Sequence, residues 1–238
     1  MASPSSWPLR LWLLIIVILA MLVSAIGAAD FADYRLEMLP LPPLVLFLWW
    51  LEWKHRPLSN LSYILIFLFL LLHVLGAHYL YSYVPYDDWS RSLFGTSISE
   101  ALGVPINKET GLPRNHYDRL VHFLFGVMML LPMLETVERL LPLGRGQALI
   151  VAVAFLAVLS KLYEVAEWMI ALIMDPEDAE QYNGQQGDMF DAHKDMTLAL
   201  TGSIIAAVVI GMHRRLVGGA ALRVVRARGD ARRKSTTS

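Results

Sequence analysis

Residues 58–84 read LSNLSYILIFLFLLLHVLGAHYLYSYV, and this stretch decides the fold class. Its apolar residues occupy every face of a helix and do not alternate, so the strands of a membrane barrel are excluded as an interpretation. A helix needs about 20 mostly apolar residues to cross the hydrocarbon core of a bilayer. The stretch therefore predicts a transmembrane helix.

Further apolar runs predict an all-α, polytopic membrane protein of about six transmembrane helices. The composition agrees, because 56% of the 238 residues are hydrophobic and only 17% are charged, whereas a soluble domain carries about a quarter charged residues. We predict one bundle over residues 1–213, in a bacterial inner membrane. The predicted spans lie near 9–29, 36–53, 58–84, 118–141, 147–174 and 195–213, and the prolines at 40, 42 and 43 place the start of regular helix in the second span near Pro43.

Basic residues are distributed unequally between the predicted loops. With six spans and a cytoplasmic C-terminus, the cytoplasmic segments hold thirteen of the twenty Lys and Arg residues and the outer segments hold six. Cytoplasmic loops are usually the more basic ones. This predicts that both termini are cytoplasmic.

The two ends of the chain carry their own predictions. Residues 214–238 form a basic tail that we predict to be disordered, and its charge fits contact with anionic lipid better than nucleic-acid binding. At the other end, Gly27-Ala28-Ala29 is typical of a signal-peptide cleavage site, which leaves a cleaved first span as an alternative. The chain has no cysteine, so disulfides, thiolate metal sites and cysteine nucleophiles are excluded.

Ionisable residues concentrate at the predicted outer ends of four spans. Such residues inside a membrane segment are costly unless paired, and each is therefore a functional candidate. Asp118 and His122, four residues apart, share one helix face, as do Glu164 and Glu167 at a spacing of three. We predict one polar cavity that contains these four residues. The predicted supporting residues are His73, His78, Lys161 and Asp188.

Carboxylates and an imidazole on facing helices suit a divalent cation such as Zn, Mn, Fe or Mg. The first ligand candidates are Asp118, His122 and Glu167 with either Asp191 or Asp195. Like-charged carboxylates in a low-dielectric site either recruit a cation or become protonated, and both outcomes stay open. Glu167 and Glu164 are the candidate catalytic groups, and Arg114 and Arg119 are candidate substrate partners.

Each of these residues also has a plainer interpretation. Lys161 and Glu164 are one turn apart and can neutralise each other. Asp118 and Asp195 stand where an acid caps a helix and favours its dipole. His73 and His78 are five residues apart, so they point about 140° from each other and fit separate packing contacts better than one ligand.

The motifs resemble those of the YjdF-like inner-membrane proteins of bacteria. The similar segments are 61–63, 73–79, 84–86, 114–123, 163–168 and 186–196, within residues 49–202. The sequence departs from the family pattern at Phe190 and His193, where Trp and Gln are expected. The resemblance implies an inner-membrane location but no reaction, because the family has no known function.

A looser resemblance to VanZ-type membrane proteins rests on Asp118, His122, Phe123, Glu167 and Asp195. It implies a role in cell-envelope lipid or glycan biology, by analogy only.

Three functions remain open from the sequence. The first is a metal-assisted hydrolase or transferase that acts on a lipid-linked envelope substrate at the outer leaflet. The second is a small ion-coupled transporter, and the third is a structural membrane protein in which the buried charges only hold the bundle together. In each case the bilayer is the partner, and no nucleic-acid partner is predicted.

Overall fold

The structure is a computed structural model that describes residues 7–54, 58–106, 111–175, 179, 182 and 184–235. Its regular elements within those residues are α-helices, and the one extended pairing there is an isolated bridge between Ile106 and Pro113. In chain order, the helices are α1 (Trp7–Ser24), α2 (Phe31–Glu37), α3 (Leu41–Trp53), α4 (Asn60–His78), α5 (Tyr86–Phe94), α6 (Ile98–Ala101), α7 (Tyr117–Leu140), α8 (Arg145–Ala171) and α9 (Asp191–Ser235).

Four helices are long and apolar enough to cross a membrane. They are α4, α7, α8 and the part of α9 from Asp191 to Leu216, and they contain 19, 24, 27 and 26 residues. At 1.5 Å per residue the shortest is about 28 Å long, close to the thickness of the hydrocarbon core. The prediction of a polytopic helical membrane protein is confirmed, and four of the six predicted spans correspond to these helices.

The first two predicted spans are shorter than expected. The apolar part of α1 ends at Ser24, not at residue 29. The second predicted span is divided, because α2 ends at Glu37 and α3 begins at Leu41 with prolines in its first turn. With 13 residues, α3 is only about 20 Å long and cannot cross the core unaided. The count of six spans, with both termini inside, remains a prediction.

The third predicted span also ends early, at His78 instead of residue 84. The next turn has Leu80 and Tyr81 in the left-handed region, with φ of 52° and 53°, which few residues other than glycine adopt. This turn folds the ring of Tyr81 back over Gly76, where a Cβ would lie 2.5 Å from the ring. The glycine therefore makes room for Tyr81 inside the bundle.

Helices α7 and α9 approach closely at two glycines. A Cβ on Gly126 would lie 2.0 Å from the Ala199 carbonyl oxygen, and one on Gly202 would lie 2.2 Å from that of Phe123. Only glycine permits such an approach of two backbones, as at other crossings of membrane helices. Gly126 follows His122 by one turn, and Gly202 follows Asp195 by two turns, so the close contact brings those polar side chains together.

The end of the bundle opposite Asp118 holds its acids in pairs, and we call it the paired end. Arg10 is 9% exposed; it binds the carboxylate of Glu52 and donates a 3.0 Å hydrogen bond to the Leu58 carbonyl oxygen. Glu135 accepts a 2.6 Å hydrogen bond from the backbone amide of Ser59 and lies 3.3 Å from Arg139. Glu138 accepts two hydrogen bonds from Arg214.

The backbone of α9 continues to Ser235. The disorder predicted for residues 214–238 stays a prediction, and residues 236–238 lie outside the described part of the chain. Alanine, leucine and arginine, which are frequent in this segment, are strong helix formers.

Candidate functional site

Two long helices bring three potential metal ligands together. Asp118 and His122 project from the first turns of α7, and Asp195 projects from the first turns of α9. One ligand atom from each residue lies within 4.8 Å of the other two. The predicted convergence of a carboxylate and an imidazole from facing helices is present in the structure.

A fourth group, Glu164, completes this arrangement from α8. Its Oε1 lies 3.3 Å from Nε2 of His122, and Oδ1 of Asp118 lies 3.6 Å from the same nitrogen. We call Asp118, His122, Glu164 and Asp195 the acid–histidine cluster. One imidazole faces three carboxylates from three helices here, so carboxylates outnumber potential positive charges inside the cluster.

Burial makes that excess charge costly. Asp195 is 2% exposed and Glu164 is 8% exposed, and each has one carboxylate oxygen without a hydrogen-bond partner among the residues that the structure describes. A buried polar atom without a partner costs about 1–3 kcal/mol, and more when it is charged. A cation or a proton bound at this site would offset that cost.

Two arginines cover the cluster on the loop side. Arg114 donates a 2.6 Å hydrogen bond to Oδ1 of Asp191, and Arg119 donates a 2.8 Å hydrogen bond to the same oxygen. Arg119 also binds Asp188 at 2.6 Å, and Lys194 binds that carboxylate too. The hydrogen bond from Lys194, followed by that from Arg119, lowers the pKa of Asp188.

These pairs change the expected roles of the loop residues. Asp191 was a predicted ligand, but two guanidinium groups already neutralise it, and it is not among the three residues that converge. Arg114 and Arg119 were predicted to bind substrate, and both are engaged within the chain. They hold the loop before α9 against the start of α7.

A second group of hydrogen-bonded polar residues lies on the α2 side of the bundle. The hydroxyl of Tyr163 donates a 2.7 Å hydrogen bond to Oε2 of Glu37, and Nε2 of His73 donates a 2.8 Å hydrogen bond to the carbonyl oxygen of Glu37. Because Nε2 carries the proton of the neutral imidazole, Nδ1 of His73 accepts a hydrogen bond from the hydroxyl of Tyr81. Glu167 lies near Tyr163 and Glu37, so it belongs with these residues and not with the acid–histidine cluster.

Sequence reasoning missed Glu37, Tyr163 and Tyr81. An acid at the outer boundary of the predicted span 36–53 was a usable signal for Glu37. The two tyrosines gave no charge signal, because tyrosine is common at the ends of membrane helices.

Two predicted supporting residues lie elsewhere. Nδ1 of His78 hydrogen-bonds the Ser24 carbonyl oxygen at 2.7 Å, so it joins α4 to α1. Lys161 is exposed on the bundle surface, and it makes no ion pair with any residue that the structure describes. The alternative in which Lys161 neutralises Glu164 is therefore not what the structure shows.

An apolar cavity extends from the cluster through the bundle. Its volume is about 380 Å³, within the usual range of small-molecule sites. Asp118, His122, His73, Tyr81 and Tyr163 line it near the start of α7, and leucine, phenylalanine and methionine side chains line most of the rest. A polar end and an apolar body are therefore joined in one space.

Comparisons with known proteins place the chain among membrane proteins. A family described as predicted membrane protein (DUF2238) matches residues 9–215. The chain is also 31% identical over 155 residues to the inner membrane protein YjdF of Escherichia coli (strain K12), an alignment that covers 65% of this chain and 66% of that protein, just under two thirds of its length. No solved structure matches. The predicted resemblance to YjdF-like proteins is confirmed, and the likeness to VanZ-type proteins stays a prediction.

Proposed function

The chain belongs to the DUF2238 family of predicted membrane proteins, and from that premise we propose that it is a metal-assisted hydrolase or transferase of the inner membrane that acts on a lipid-linked envelope substrate. The observation that carries this proposal is the acid–histidine cluster, in which three ligand atoms lie within 4.8 Å of one another beside buried carboxylate oxygens that have no partner. Oxygen and imidazole ligands suit a divalent cation of the Zn, Mn, Fe or Mg type.

The residues divide into holding and proton-accepting groups. Asp118, His122 and Asp195 would hold the cation, and a cation so held activates a water molecule as a nucleophile. Oε1 of Glu164 lies 3.3 Å from Nε2 of His122 and makes no hydrogen bond within the described residues, so this carboxylate is placed to accept a proton beside the cluster. Glu167, the other catalytic candidate, lies near Tyr163 and Glu37 and is a less direct base.

The cavity supports a lipid-linked substrate. It opens the cluster to an apolar interior, which is where the hydrocarbon part of a lipid-linked substrate would lie. The same cavity disfavours an ion-coupled transporter, because the wall beyond the cluster is mainly apolar and its polar lining there is limited to Ser160 and Thr136. Ions crossing a membrane protein need polar groups along the whole path.

Metal binding is the first test of this proposal. Protein purified without chelator is expected to contain about one equivalent of a divalent metal, and added Mn²⁺ or Zn²⁺ is expected to stabilise the metal-free protein by about 2.7 kcal/mol at a hundred times the dissociation constant. Asp118→Asn and His122→Gln should lose this stabilisation, whereas Asp88→Asn, which removes an exposed loop carboxylate, should retain it. Elemental analysis and thermal unfolding in detergent measure both quantities.

Turnover is the second test. The metal-loaded protein is reconstituted with a total lipid extract of Escherichia coli, and lipids are compared by mass spectrometry with a reaction containing His122→Gln. A lipid species consumed only by the unaltered protein supports the enzyme. Metal binding without any change in the lipids would overturn the catalytic role and leave a structural metal site, and absence of both would leave protonated, hydrogen-bonded acids as the account of the cluster.

A further inference from the structure

The cavity is long in relation to its volume. Asp118, Val121, His122, Phe125, Met129, Pro132, Met133 and Thr136 of α7 all line it. From Asp118 to Thr136 the helix rises about 27 Å, nearly the thickness of the hydrocarbon core. The cavity lining is therefore elongated along α7, a shape that fits an extended chain better than a compact ligand.

The lining of the cavity has one polar atom without a partner near the cluster. Ser160 lies one turn before Glu164 on α8, is 3% exposed, and its hydroxyl has no hydrogen-bond partner in the described residues. The hydroxyl of Thr136, at the other end, already donates a 2.9 Å hydrogen bond to the Pro132 carbonyl oxygen. A buried hydroxyl without a partner is costly, and a carbonyl oxygen of a ligand would relieve that cost.

From these features we infer that the cavity binds one fatty-acyl chain of a membrane lipid, with the ester carbonyl at Ser160 and the polar headgroup toward Asp118 and His122. Ser160 favours an acyl lipid over an isoprenoid phosphate, because only the acyl lipid offers an ester carbonyl to the unpartnered hydroxyl. Lipid tails are as apolar as the cavity wall, so packing contacts and this hydrogen bond must supply the selectivity. This inference names the substrate class of the proposed enzyme, but the binding itself needs neither metal nor turnover.

The experiment uses the full chain in lipid nanodiscs that contain a phosphatidylglycerol with a photoactivatable diazirine near the end of one acyl chain. After irradiation, labelled peptides are mapped by mass spectrometry. Labelling is expected at the inward-facing Met129 and Met133, in excess over the exposed, lipid-facing Ile150 and Val158. Equal labelling of inward and exposed positions would overturn the inference.

Variants at Ser160 sharpen the result. Ser160→Phe places a ring in the space of the acyl chain and is expected to reduce labelling of Met129 and Met133 about tenfold. Ser160→Ala keeps the space and removes the hydroxyl, so only about a threefold reduction is expected. Ile150→Phe, an equal change of size on the exposed face of the same helix, is the matched control and should leave labelling unchanged.

Two further measurements separate this inference from the proposed function. Stabilisation by Mn²⁺ should persist in Ser160→Phe, so that loss of acyl labelling with retained metal response identifies the cavity as the altered part. A diazirine farnesyl phosphate is tested in parallel. If it labels Met129 and Met133 more strongly than the phospholipid does, the fatty-acyl assignment is wrong.

Discussion

The acids at the two ends of the bundle have different partners. At the paired end, Glu52, Glu135 and Glu138 each bind an arginine. In the acid–histidine cluster, three carboxylates face a single imidazole, and two of them keep a free oxygen. Evolution of a stable bundle alone would favour the first arrangement, because unpaired buried charge is destabilising. This contrast is what the proposed binding role of the cluster would require.

The largest expected effect comes from breaking the paired end. Glu52→Gln removes the partner of Arg10, whose side chain is 8% exposed, and leaves a buried guanidinium without its counterion. We expect a loss of about 3 kcal/mol in the free energy of unfolding, as for other buried pairs that lose one member. Denaturant-induced unfolding in detergent micelles measures this loss. Asp88→Asn, in an exposed pair with Arg91, is the control and should cost about 0–1 kcal/mol.

The corresponding change in the cluster is Asp195→Asn. In metal-free protein it removes a carboxylate that lies beside Asp118 and has a free oxygen, so the free energy of unfolding should stay level or rise. If Asp195→Asn lost as much free energy of unfolding as Glu52→Gln, Asp195 would have a stabilising partner like Glu52. The proposed difference between the two ends would then be wrong.

A smaller effect is expected from the glycines that hold the cluster together. Gly126→Ala places a Cβ where the Ala199 carbonyl oxygen stands, so α7 and α9 must separate. We expect a loss of about 2 kcal/mol in the free energy of unfolding, within the usual range for overpacking, together with weaker stabilisation by Mn²⁺. The cause is that Asp195 moves away from Asp118 and His122.

Gly211→Ala on α9 is the matched control for that change. Its Cβ would meet only Leu149 Cδ2, at 3.9 Å, which is an ordinary contact. Because alanine is a better helix former than glycine, this variant should be slightly more stable than the unaltered protein. Equal responses of the two variants would show that the close crossing does not position the cluster.

The sequence predicted those parts of the site that depend on a single helix. Asp118 and His122 share a face by spacing alone, and the four long helices follow from their apolar runs. Glu164 and Glu167 show the limit of that reasoning, because a spacing of three residues leaves them about 60° apart on the helix. Glu164 joins His122, and Glu167 joins Tyr163 and Glu37.

The spacing of residues along the sequence could not predict contacts between different helices and loops. The engagement of Asp191 by Arg114 and Arg119 depends on how the loop before α9 folds over α7. The position of Glu37 depends on the break between α2 and α3. The roles of Gly126 and Gly202 appear only when two helices are placed side by side, because a glycine in an apolar run is otherwise unremarkable in a membrane helix.

The smallest effect on the free energy of unfolding is expected for Asp188→Asn. Asp188 lies near the cluster, but it has charged partners like the acids of the paired end. Its carboxylate is 19% exposed and is held by Lys194 and Arg119, which lower its pKa from the ordinary value of about 4. A group whose pKa is lower in the folded than in the unfolded state stabilises the protein above its ordinary pKa, and that contribution is lost as the pH falls through the folded-state value. Below about pH 4, the unaltered protein should therefore lose this contribution, whereas Asp188→Asn has none to lose.

Thermal unfolding at pH 6 should show the variant less stable by up to about 1 kcal/mol, because Lys194 is half exposed and the pair is screened by solvent. At pH 3 the difference should shrink, because protonation removes the charge that Lys194 and Arg119 bind. An equal or larger difference at pH 3 would contradict the assignment of Asp188 to the acids that a charged partner stabilises.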